Sequence, residues 1–136
     1  TMSRRTALEE IGLLDEWFRL SYDLDLALRL VRKYPIGFVN EVVYLYRKHG
    51  TNISADDELR SKENLRALEK LLADYPEALD LIGRRAFFCL LAHRYYRLAK
   101  ALAGKGDAVG ARAAIRQAVS LRPLSLKYRL YQFRRA

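Results

Sequence analysis

Cysteine occurs once in 136 residues, tryptophan once, methionine once and proline three times. A lone Cys89 excludes an internal disulfide. Its apolar neighbours, Phe87-Phe88-Cys89-Leu90-Leu91, suit a buried small hydrophobe better than a reactive thiol. Long apolar runs are missing too. The longest, Ala86 to Ala92, falls far short of the roughly 18 residues that a membrane helix requires. No secretory signal is visible, because Thr1-Met2-Ser3-Arg4-Arg5 leads into an acidic amphipathic segment. The sequence contains no Gly-rich phosphate loop, no Cys/His metal cluster and no nucleophile elbow. The reading is a cytoplasmic chain, at most peripheral to a membrane.

Acidic residues are scarce where basic ones are dense. The net charge is +9, but residues 1–55 hold 8 Lys/Arg against 7 Asp/Glu, and residues 56–83 hold 4 against 8. Residues 84–136 hold 13 against 1. Such a block suits an anionic surface. It equally suits a solvated helical face whose arginine stems cover apolar area. About half of the residues are apolar, enough for an ordinary domain with its own core.

Periodicity organises the chain into two parts. Residues 3–11 carry helical spacing, with Ser3 as the expected N-cap. Ser21 is placed to cap a second helix, from Asp23 to about Lys33, that Pro35 ends. Phe38 to Tyr46 is rich in Val and Tyr and predicts a short β segment. From residue 56 onward only helical signals remain. Asp56, Asp57 and Glu58 make an acid-rich helix start, and Leu65, Leu68, Leu71 and Leu72 form its stripe. Tyr75-Pro76 breaks that helix. The next is expected to run unbroken to about Ala103, followed by a Gly104–Asp107 turn, a helix to about Leu121, and a last one opened by Pro123. The fold class expected is mainly α, with a short β segment and a C-terminal helical bundle.

Two ordered sets of residues stand out. The first comprises Gly12, Asp15 and Glu16; then Asp23, Asp25, Leu26, Leu28 and Arg29; then Tyr46, Arg47, His49, Asn52 and Ser54. It resembles the C-terminal part of the catalytic domain of family 2 glycosyltransferases. That family shows a Gly-x-Phe-Asp-Glu turn, a Glu-Asp-x-Asp-Leu-x-Leu-Arg helix, a strand, and Tyr-Arg-x-His. Tyr22 departs from the pattern, standing where the family has Glu. The resemblance implies a GT-A fold over residues 1–55, incomplete, with residues 56–136 as a helical C-terminal domain. It also implies inverting transfer from a nucleotide-sugar to a glycan or lipid-linked acceptor, as in polysaccharide biosynthesis, with Mn or Mg as cofactor. Asp23 matches the family's catalytic base, a carboxylate that takes the acceptor's proton. Asp15 and Glu16 would line the acceptor cleft or cap a turn. Arg47 and His49 would face the diphosphate leaving group, with His49 close to the metal. The metal-binding Asp-x-Asp of the family has no counterpart here. Asp23-Leu24-Asp25 does not replace it, since i and i+2 of a helix point apart. Asp25 and Arg29, at i and i+4, suit a structural ion pair. This segment alone is expected to be inactive.

The second set is Ala99, Leu102, Gly106, Asp107, Ala111, Ala118, Leu121 and Pro123, whose spacing is similar to a single tetratricopeptide repeat. One unit is fewer than the roughly three a free-standing array needs, so it reads as a capping hairpin. An alternative to the transferase reading is a helical interaction module. Its partner would be a protein or an anionic membrane bound through residues 84–136, where Leu124, Leu126, Leu130, Tyr131 and Phe133 lie among Lys127, Arg129, Arg134 and Arg135. Nucleic acid ranks last, because charge and tyrosines without a recognised motif carry little. Apolar surface exposed on residues 1–55 would drive either a homodimer or loose packing.

Overall fold

A computed structural model describes residues 2–43, 45 and 56–134. The chain divides into two compact units, Thr1–Ala55 and Asp56–Ala136. Among the described residues it is mainly helical, with α1 (Arg5–Glu10), α2 (Tyr22–Lys33), α3 (Asp57–Asp74), α4 (Ala78–Ile82), α5 (Arg84–Gly104), α6 (Ala108–Leu121) and α7 (Leu126–Arg134). None of these helices is long and apolar enough to cross a membrane.

In the first unit α1 is short, and its N-cap is Arg4 with no side-chain bond, so Ser3 does not cap it. Gly12 (φ 87°) and Leu13 (φ 58°) turn the chain out of the helix through the left-handed region. Glycine enters that region freely and leucine at a cost of about 1 kcal/mol, so other contacts must hold the turn. Ser21 occupies the N-cap position of α2 without a capping hydrogen bond from its side chain. Lys33 Nζ reaches Glu10 Oε1 at 3.0 Å, and the Tyr34 hydroxyl donates to the same carboxylate, which ties the end of α2 to the end of α1. Both bonds, that from Tyr34 first, hold the Glu10 carboxyl below the usual range.

The strand expected over residues 38–46 is absent from the described part of that stretch, 38–43 and 45. Phe38, Val39, Val42, Val43 and Leu45 are 64% to 90% exposed. Val- and Tyr-rich sequence favours a strand only where a neighbour accepts its ladder hydrogen bonds, and no strand exists among the described residues to do so.

In the second unit, Asp56 Oδ1 accepts from Glu58 N and Leu59 N, both at 3.1 Å, and starts α3 as a side-chain cap. The stripe on α3 is buried at Leu65, Leu68 and Leu71 and half-buried at Leu72. Beyond Pro76 the sequence reading requires one correction. Instead of one helix there are two, because Gly83 sits at φ 86° between α4 and α5. α5 packs against both α3 and α6, and Lys105 Nζ lies 2.8 Å from Glu58 Oε2 while Arg97 Nη2 lies 2.9 Å from Asp57 Oδ1. These ion pairs bring the C-terminal part of α5 to the start of α3, an antiparallel pairing.

The core of this unit is built on small side chains. Ala92, Ala99, Ala111 and Ala118 are at most 2% exposed, together with Ile115 at 1%. With Leu98, Leu102 and Tyr128 they make one cluster that draws on α3, α5, α6 and α7. Alanine at a helix contact lets the two backbones approach closely, and α5 and α6 form a hairpin on that basis. Its turn has Gly106 at φ 85°, and Asp107 Oδ1 accepts from Gly110 N at 2.8 Å to cap α6.

Candidate functional site

Within the first motif, Arg29 joins Asp25 to the turn around Gly12. Asp25 is 3% exposed, and its Oδ2 lies 2.7 Å from Arg29 Nη2 and 2.9 Å from Arg29 Nε. The same guanidinium donates from Nη1 to Ile11 O at 2.5 Å and from Nη2 to Leu13 O at 2.7 Å. Arg29 therefore spans α2 and the two carbonyls that flank Gly12. The fork of an arginine suits this, since several donors lie in one plane. The i, i+4 pairing was legible in the sequence. The two turn carbonyls were not, although Gly12 before a non-glycine turn residue marked the spot.

Asp23 lies in the first turn of α2, exposed, and its Oδ1 accepts from Leu24 N at 2.8 Å. Tyr22, beside it, is 44% exposed. Asp23 faces solvent while Asp25 faces the arginine, so the two carboxylates do not converge. Asp15 is half-buried: its Oδ1 accepts from Trp17 N at 3.0 Å and its carbonyl from Phe18 N at 3.1 Å, so its carboxylate closes a turn. Glu16 is exposed beside it. The loop between Asp15 and Asp23 is anchored by Phe18, 5% exposed, and Ser21, 4% exposed. Arg47 and His49 lie outside the described residues. Among the described residues no three His, Cys, Asp or Glu side chains gather in a group that fits a metal ion.

His93 is half-buried in α5, and burial, then the charges of Lys127, Arg94 and Arg97, push its pKa below the usual histidine value. Its ring lies 6.4 Å from that of Tyr96. Cys89 is free and only half-buried, where the sequence suggested full burial. A shallow depression at the α5–α6 turn is lined by Ala103, Gly106, Ala108 and Ala111 and offers no ionisable side chain.

The chain matches no protein-family model, no curated protein and no solved structure.

Proposed function

We propose that residues 1–55 are the acceptor-side end of a family 2 glycosyltransferase domain, and that Asp23 is its catalytic base. The observation that supports this most is Arg29. It ties together the turn motif at Gly12 and the helix motif at Asp25, two stretches that the resemblance pairs only by order in the sequence. An exposed carboxylate in the first turn of a helix tied to the preceding turn suits a general base. In the reaction proposed, the acceptor hydroxyl oxygen attacks the anomeric carbon, the bond to the diphosphate oxygen breaks, and the hydroxyl proton passes to the Asp23 carboxylate. When bound, a divalent cation would neutralise the departing diphosphate. Asp15 and Glu16 would border the acceptor, while Arg47 and His49 would face the diphosphate.

The protein that carries this segment together with a nucleotide-binding half should transfer sugar from a nucleotide-sugar, and the 136-residue chain alone should not. Asp23→Asn should lower transfer by about 10² to 10⁴, the range for general-base removal, without changing the thermal midpoint. Transfer at the parent rate in that variant would remove Asp23 from the role.

The helical part reads as a C-terminal appendage with one tetratricopeptide-like hairpin, a reading supported by the burial of Ala99, Ala111 and Ala118 at repeat spacing. A second reading, as an interaction module, draws on the exposed Leu126, Leu130 and Phe133. In residues 1–55 the exposed Leu13, Leu14, Trp17 and Val31 are the surface on which a homodimer would rest.

A further inference from the structure

α7 is apolar on two opposite faces, and only one of them is used by the fold. Tyr128 is 5% exposed. Its ring lies 5.3 Å from Tyr96, and the Tyr131 ring lies 5.2 Å from Tyr96 nearly edge-on. These contacts fix the rotation of α7 about its axis. At 3.6 residues per turn, Leu126, Leu130 and Phe133 then fall in a single row on the side away from the tyrosines. They are 75%, 60% and 85% exposed, and Leu124, just before the helix, is 90% exposed.

The row is bordered by cations. Arg129 flanks it on one side and Arg134 on the other, both exposed, with the exposed Arg122 at the start of the preceding turn. Lys127 turns back instead, its Nζ 4.7 Å from the Tyr96 ring centre. No acidic residue occurs between Ala108 and Ala136, so nothing on α6 or α7 offsets this charge.

We propose that Leu124, Leu126, Leu130 and Phe133, with Arg122, Arg129 and Arg134, form a docking face for an anionic lipid surface. α7 would lie in the plane of the interface, apolar row down, with the arginines at the level of the headgroup phosphates. The charge suits any polyanion, but the row of leucines and phenylalanine between the arginines does not suit phosphates alone. The phosphate backbone of a nucleic-acid duplex would gain from the arginines and offers no apolar partner to Leu126 or Leu130. This inference rests on the interaction-module reading, whose partner it names, and stands independently of the transferase reading.

The test is flotation of the 136-residue chain with vesicles of phosphatidylcholine alone and of phosphatidylcholine mixed with phosphatidylglycerol. The wild type should float with the mixed vesicles at low salt, stay behind with the neutral ones, and dissociate as salt is raised. Arg129→Gln/Arg134→Gln should weaken partitioning about thirtyfold, from about 1 kcal/mol per cation near the surface. Leu130→Ser/Phe133→Ser should weaken it at least about tenfold. All four positions are exposed, so helical circular dichroism should be unchanged in both variants. Three outcomes would overturn the proposal: no flotation with mixed vesicles, equal flotation with neutral ones, or wild-type flotation of the serine variant. Retention of a DNA duplex by wild type and serine variant alike, with no vesicle binding, would assign the charge to nucleic acid instead.

Discussion

At the scale of single residues, Arg29 is the side chain with most at stake. It satisfies a carboxylate that is 3% exposed and two carbonyls of a turn with positive φ at Gly12 and Leu13. Arg29→Ala removes the ion pair of a buried carboxylate and both donors to the turn carbonyls, and should cost about 3 kcal/mol. Trp17, the only tryptophan, lies in the same unit with its ring 5.1 Å from that of Phe18. Its fluorescence should report the loss as a lower denaturation midpoint. The conservative Arg29→Lys should recover little, because an ammonium does not reach both carbonyls and the carboxylate at once. The i, i+4 spacing made the Asp25–Arg29 pair legible in advance. Which of Asp23 and Asp25 is buried follows from which face of α2 meets the Gly12 turn, a matter of tertiary packing.

At the scale of elements, the bundle depends on alanines and on charged helix ends. Ala99 on α5 and Ala118 on α6 are fully buried. Ala99→Leu adds volume where two backbones are close, and should lower stability by about 1 to 3 kcal/mol, read from the midpoint of thermal unfolding by circular dichroism. The start of α3 gives a pH dependence. Backbone donation from Leu59 leads the causes that hold the Asp56 carboxyl low, and Lys105 leads those that hold Glu58 low. Both carboxyls are therefore depressed on folding. Their contribution is complete above the ordinary carboxylate range and is lost as pH falls through their lowered values. The unfolding midpoint should decline below about pH 4, and Lys105→Met should flatten that decline. The first unit adds to it in the same direction through Glu10. Helix existence, the Tyr75-Pro76 break and the Gly104–Asp107 turn were legible from spacing and turn chemistry. The Gly83 break was missed because a single glycine can be tolerated within a helix, and only φ 86° decides that it is not.

At the scale of the whole molecule, the second unit holds its own core, from Leu65 to Tyr128. Residues 56–136 expressed alone should give a helical spectrum and a cooperative thermal transition. A non-cooperative melt would show that this core is insufficient alone. Composition alone made the separation plausible: charge, periodicity and apparent element type all change near residue 55. What it misjudged was the stretch 38–46. Its Val and Tyr content is that of a strand, yet its described residues are exposed and unpaired with any strand. Strand formation is a property of two segments, and composition describes only one.

Local signals thus determined that helices form, the breaks at Tyr75-Pro76 and Gly104–Asp107, the Asp25–Arg29 pair and the basic character of the last third, because each depends on neighbours within about one turn of the chain. Tertiary structure decided which carboxylate faces water, which alanines sit at a backbone contact, whether a Val-rich segment finds a partner, and which face of α7 remains exposed. Those outcomes depend on what lies across from a side chain, and residues far apart in sequence supply it.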